Sequence, residues 1–159
     1  MYTLSREQFV NATLAEAWDL LKNPANLDLI TPKDLRFQII SPVPREMFDG
    51  LIVEYRIKIP WVGIRTWVAE IKHIREKHSF VDEQRIGPYT FWYHYHQLDA
   101  EGGRIKLTDR VYYEVPYWVF GTIIHFFFIR KTLKRIFDYR QQKLAELLNS
   151  DRSLNKLPV

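Results

Sequence analysis

From Leu51 to Pro60 apolar and polar side chains alternate: Leu51, Val53, Tyr55, Ile57 and Ile59 fall on one side, and Glu54, Arg56 and Lys58 on the other. Successive side chains of a strand point to opposite faces, so this stretch predicts a strand with one buried and one wet face. The same period returns over residues 64–74 after Gly63, 78–86, 90–98 after Gly87-Pro88, and 104–115 after Gly102-Gly103. Residues 2–10 and 35–42 alternate more loosely and complete a set of seven strands. Short junctions rich in turn residues predict antiparallel hairpins.

Between the first two strands the period changes. Leu14, Ala17, Trp18 and Leu21 make one apolar helical face, which predicts a short helix over residues 12–22 with Asn11 as its N-cap. A second brief helical turn over residues 26–32 ends at Pro32. Beyond Pro116, Ile129, Leu133, Ile136, Phe137, Leu144, Leu147 and Leu148 share a broad stripe and predict a long helix from Val119 to Asn149. A curled sheet can bury its apolar face by wrapping this helix, an α+β arrangement that leaves a gap unless large side chains fill it. One domain over residues 1–149 and a flexible tail over 150–159 follow from this pattern.

Composition narrows the chemistry. Ten Phe, nine Tyr and five Trp make up 15% of the 159 residues, enough rings to fill a core and line a cavity. The absence of cysteine excludes disulfides, thiolate metal sites and a thiol nucleophile. Six glycines, of which only Gly102 and Gly103 adjoin, form no dinucleotide or phosphate loop, so NAD, FAD and ATP are not expected as cofactors. The net charge of +4 permits an anionic partner without requiring one. Arg130, Lys131, Lys134, Arg135, Arg140 and Lys143 are interrupted by Asp138 and Glu146, as on a solvated helix face, and nucleic acid is not expected as a partner. No signal-peptide pattern is visible at the N-terminus, so the expectation is a cytoplasmic protein. The aromatic run from Tyr117 to Ile129, with Trp118, Phe120, Phe126, Phe127 and Phe128, is too short to span a bilayer. It reads as a buried helix start, a cavity portal or a transient membrane-surface contact.

The chain resembles the START/SRPBCC superfamily, and within it the bacterial ligand-binding, polyketide cyclase/dehydrase-like group. Five pieces carry the resemblance: WDLLKNPANLDLITP from Trp18, FVDEQRIGP from Phe80, FWYHYHQL from Phe91, GGRIKLTDRVYYEVP from Gly102 and IFDYR from Ile136. The aromatic link after the last strand, where the group often has glycines, is a departure. The resemblance implies a helix-grip fold whose members hold apolar ligands between sheet and C-terminal helix. Because the group holds carriers, receptors and relatives named as cyclases or dehydratases, fold leaves the function open.

On the sixth strand Trp92, His94, His96 and Leu98 share the inner face; on the seventh Ile105, Leu107, Asp109, Val111 and Tyr113 do. A turn closing Leu98 against Ile105 sets His96 opposite Leu107 and His94 opposite Asp109. Closure at Gly87 to Tyr89 sets Gln84 opposite Trp92, Asp82 opposite His94 and Phe80 opposite His96. Asp82, Gln84, His94, His96 and Asp109 then cluster inside an apolar sheet, and each buried polar group costs about 1–3 kcal/mol unless it is hydrogen-bonded. Three readings stay open: a self-satisfied network that fixes register, a site orienting the polar end of a ligand, and acid–base catalysis by His94, His96 and Asp109. His94 and His96 stand about 6–7 Å apart along the strand, and Asp109 or Asp82 could complete a metal site, but no metal is expected.

The candidate ligand-binding set is therefore Tyr55, Trp67, Asp82, Gln84, Trp92, His94, His96, Asp109 and Tyr113. Binding, carriage or sensing of a small apolar molecule is the leading function; a cyclase, dehydratase or isomerase acting on such a molecule is the alternative. Oligomeric state is left open.

Overall fold

The computed structural model describes residues 1–60, 63–116 and 128–149. Seven strands form one antiparallel sheet: β1 (Tyr2–Val10), β2 (Gln38–Ile39), β3 (Leu51–Ile59), β4 (Gly63–Arg75), β5 (Ser79–Ile86), β6 (Phe91–Glu101) and β7 (Arg104–Glu114). Their order is β1-β7-β6-β5-β4-β3-β2, so hairpin neighbours pair in sequence and β1 joins the far edge beside β7. Helix α1 (Leu14–Leu21) and two 3-10 turns, Pro24–Asp28 and Lys33–Leu35, lie between β1 and β2; α2 (Arg130–Asn149) closes the described chain. This is a helix-grip α+β fold.

Two register shifts bend the sheet around α2. In the β4–β5 pair the register shifts between Val68 and Ala69 and again between Lys72 and Arg75, with His73 held at φ 55°. Extra residues on one strand of a pair increase twist and bend the strand. Buried residues of α2 are Leu133, Phe137, Arg140, Leu144 and Leu148, and the four apolar ones join Val53, Trp67, Phe80, Leu107 and Val111 of the sheet and Trp18 of α1 in one core.

Four expectations shift. The N-cap of α1 is Thr13, not Asn11: the Thr13 side chain accepts from the Glu16 backbone N–H at 3.2 Å, and Glu16 accepts from the Thr13 N–H at 2.6 Å. Asn11 instead donates its backbone N–H to the Asn149 side chain at 2.7 Å, tying the end of β1 to the end of α2. The second strand is two residues long, because Leu35 ends a 3-10 turn and Arg36 takes a left-handed φ of 45°. The α2 stripe is narrower than expected: Leu147 is exposed, Ile136 is only partly buried, and Arg140, expected on the solvated face, is inside. The fourth shift is the β6–β7 register. Gly102 and Gly103 both take positive φ, 58° and 75°, and form a two-residue turn that pairs Glu101 with Arg104. His96 therefore faces Asp109, His94 faces Val111 and Leu98 faces Leu107, two residues from the expected alignment and on the same faces.

The run from Tyr117 to Phe127 and the tail over 150–159 lie outside the described residues. Phe128 is exposed and Ile129 partly buried. Among the described residues no helix is long and apolar enough to cross a membrane.

Candidate functional site

A cavity of about 190 Å³ lies between the inner face of the sheet and α2, closed at one end by α1 and the 3-10 turns. Its lining is mostly apolar: Leu27, Ile30, Val53, Ile57, Leu133 and Phe137 contribute aliphatic and aromatic surface. One wall is a continuous series of rings. Tyr55 stacks on Trp67 with centroids 5.8 Å apart, Trp67 meets Trp92 edge-on at 5.2 Å, and Trp92 meets His94 edge-on at 6.2 Å. The rings of His94 and His96 lie 3.8 Å apart, and His96 stacks on Phe80 at 4.2 Å.

Strand alternation puts Asp82, His94 and His96 on this wall, and cross-strand pairing draws them together. Asp82 Oδ2 stands 2.7 Å from His96 Nε2 and 3.2 Å from His94 Nδ1, while Asp82 Oδ1 accepts from the Trp92 indole N–H at 3.4 Å. On the side away from the cavity, Asp109 Oδ1 is 3.0 Å from both His94 Nε2 and His96 Nδ1. Arg140 reaches the same place from α2: its Nη2 is 3.3 Å from His96 Nδ1 and its Nε is 3.6 Å from Asp109 Oδ2. The two imidazoles thus bridge one oxygen of each carboxylate.

Charge explains why this arrangement is tolerated among apolar residues. Burial opposes ionisation of Asp109, but the Arg140 charge and hydrogen bonds from His94 and His96 outweigh it and hold the carboxyl well below its usual range. Burial likewise opposes ionisation of Asp82, and the charge and hydrogen bonds of the histidines reverse the sign. For His94, burial favours the neutral ring; the Asp82 charge and hydrogen bonds to Asp109 and Asp82 overcome it and push the pKa up. Arg140 and the two imidazoles thus face the two carboxylates, so each buried acid has a cationic or hydrogen-bonding partner. The phenol of Tyr55 is pushed well up, first by burial and then by the charge of Asp82, and stays neutral.

Of the nine residues singled out from the sequence, Tyr55, Trp67, Asp82, Trp92, His94 and His96 line the cavity. Asp109 is buried behind the imidazoles. Tyr113 is buried beside Tyr2, Tyr89 and Trp92 and does not line the cavity. Gln84 does not join the cluster: the β5–β6 ladder stops at Glu83 and Tyr93, and the Gln84 amide turns back to donate to Tyr89 O at 2.7 Å and accept from Tyr89 N–H at 3.3 Å.

Two of the other lining residues shape the polar and aromatic walls. Arg140 carries a sequence signal, since it stands three residues after Phe137 and four before Leu144 on the apolar stripe. Tyr89 carries none: it sits in a turn whose fold brings its ring 5.6 Å from Trp67 and 4.9 Å from Trp92. A further feature needs coordinates: Trp67 Nε1 is buried and has no hydrogen-bond partner among the described residues.

No protein-family model and no curated protein matches the chain. Solved structures do. Protein CV1439 from Chromobacterium violaceum superposes with a TM-score of 0.70 at 9% identity, over 93% of this chain and 98% of that one. Protein Ms6760 from Mycobacterium smegmatis gives 0.66 at 15% identity, over 92% and 90%. Ara h 8.0201 gives 0.58 at 13% identity, over 90% and 97%. At these identities the likeness shows a shared fold and nothing beyond it.

Proposed function

We propose that this chain, which resembles the SRPBCC superfamily in sequence, binds, carries or senses a small apolar molecule whose polar end meets the wall formed by Asp82, His94 and His96. The observation that carries the reading is the asymmetry of the cavity: apolar on most sides, with one polar patch whose carboxylate and imidazoles pair with one another. Sparse polar groups in an apolar pocket fix the orientation of a ligand. A volume of about 190 Å³ has room for on the order of a dozen non-hydrogen atoms, taking roughly 15 Å³ per probe-sized occupant. The unpartnered Trp67 N–H favours a ligand carrying a hydrogen-bond acceptor. Asp109 acts behind the imidazoles as a positioning residue, and Arg140 holds it there.

Native mass spectrometry of protein purified from its own cells without refolding tests this. The expected result is one retained apolar molecule per chain, displaced by an added apolar dye. A chain that retains nothing and never takes up the dye would contradict it. The alternative enzyme of cyclase, dehydratase or isomerase type, working through His94, His96 and Asp109, requires turnover of a bound ligand that disappears in His94→Ala while binding persists.

A further inference from the structure

Asp82 Oδ2, His94 Nδ1 and His96 Nε2 converge on the cavity side of the wall, and all three donor atoms lie within 4.8 Å of one another. We propose that these three side chains form a binding site for a divalent first-row transition ion of the zinc class, open toward the apolar cavity. The sequence sets His94 and His96 about 6–7 Å apart along the strand, with no metal expected; in the structure the side chains lean together until the two rings are 3.8 Å apart.

Three features carry the proposal. The first is donor type: two imidazoles and one carboxylate suit zinc, iron, cobalt, nickel or copper and disfavour magnesium or calcium, which take oxygen donors. The second is size. Metal–donor bonds of about 2.0–2.2 Å in a tetrahedral site set donors about 3.3–3.5 Å apart. The edge from His94 Nδ1 to Asp82 Oδ2 is 3.2 Å already, and the 2.7 Å edge from His96 Nε2 opens when the ion replaces the protons held between Asp82 and the two imidazoles.

The third feature is the support behind the donors. Ligating histidines commonly give their other ring N–H to a carboxylate, which fixes ring orientation. Here Asp109 Oδ1 takes the far nitrogen of His94 at 3.0 Å, while the far nitrogen of His96 lies 3.0 Å from Asp109 Oδ1 and 3.3 Å from Arg140 Nη2, and Arg140 holds Asp109 from α2. Trp92 fixes the third donor by binding Asp82 Oδ1, leaving Oδ2 as the one oxygen turned to the imidazoles. A network built only to fix strand register has no need to converge three donor atoms on the cavity side. Three protein donors leave one position of a tetrahedral ion free, and here it opens on the cavity.

The experiment is titration of chelator-treated, ligand-free protein with Co²⁺, read by visible absorption and by NMR. The expected outcome is about one Co²⁺ per chain, with visible bands of a four- or five-coordinate ion that Zn²⁺ abolishes and excess Mg²⁺ does not. Paramagnetic relaxation should be strongest on the Trp92 indole, the Phe80 ring and the two imidazoles, which locates the ion without any mutation. Asp109→Asn should weaken Co²⁺ binding roughly 10–100-fold, and Asp82→Asn should abolish the bands in a protein whose circular dichroism is unchanged. No stoichiometric binding to the wild-type chain at submillimolar Co²⁺, or relaxation centred on surface His73 or His78, would overturn the proposal. Because no apolar ligand is used, this result is separate from the fate of the carrier reading.

Discussion

The two halves of the inner sheet face the same cavity and obey different rules. On β3 and β4, Val53, Tyr55, Trp67 and Ala69 are held by packing alone, and no charged group faces them from their own strands. On β5, β6 and β7, Asp82, His94, His96 and Asp109 are held by directed contacts that close on Arg140 of α2. Shape sets the first half, and directed contacts set the second. A volume-conserving change should therefore be mild on one side and severe on the other.

The largest effect is expected from Asp109→Leu, which keeps the side-chain size and leaves His94 and Arg140 without their shared carboxylate. Breaking a buried ion pair in this way costs about 3–5 kcal/mol, measurable by urea denaturation. A loss below 1 kcal/mol would mean that water already solvates the cluster.

The same network fixes the pH range of stability. Asp82 and Asp109 have folded-state pKa values depressed below 3.8, so their contribution is present above that pH and is lost as pH falls through the folded values. His94 is raised above 6.5, so its contribution is present below that pH and is lost as pH rises through the folded value. Denaturation midpoints should thus be highest between these limits. In Asp109→Leu the acid limb should flatten, because one of its two carboxylates is gone.

The aromatic half provides the contrast. Trp67→Phe removes an N–H that has no partner among the described residues and keeps most of the volume, so it should cost less than about 1.5 kcal/mol. A loss as large as that of Asp109→Leu would erase the distinction between the halves.

The smallest effect is expected in the β5–β6 turn. A Cβ at Gly87 would press on the Gln84 side chain, whose amide closes the β5–β6 turn on Tyr89. That side chain is flexible and can move aside, so Gly87→Ala should cost about 1 kcal/mol or less. The change should appear in NMR as displacement of the Tyr89 amide signal, with the histidine signals unmoved.

How much of this was legible in the sequence divides along the same line. Alternation placed every inner side chain of β3, β6 and β7 on the correct face, because the period of two survives any even shift in pairing. The same insensitivity hid the β6–β7 register, which depends on whether Gly102-Gly103 turns in two residues or more. His94 still lies 3.0 Å from Asp109 despite facing Val111, because long side chains reach diagonally across a strand pair. Arg140 was grouped with the basic residues of a wet helix face, although its position between Phe137 and Leu144 pointed inward. The place of Gln84 depends on where the β5–β6 ladder ends, and the role of Tyr89 depends on the turn, which periodicity does not encode.

The central claim is that the cavity reads one polar end on an otherwise apolar molecule. Its most direct test compares the affinities of two probes of equal size, an aromatic ketone and the corresponding hydrocarbon, for the wild-type chain and for His96→Phe. The account predicts that the ketone binds wild type more tightly by roughly tenfold, about 1.4 kcal/mol, and that the gap closes in the variant while the hydrocarbon is bound as before. Equal affinities in the wild-type chain would contradict it.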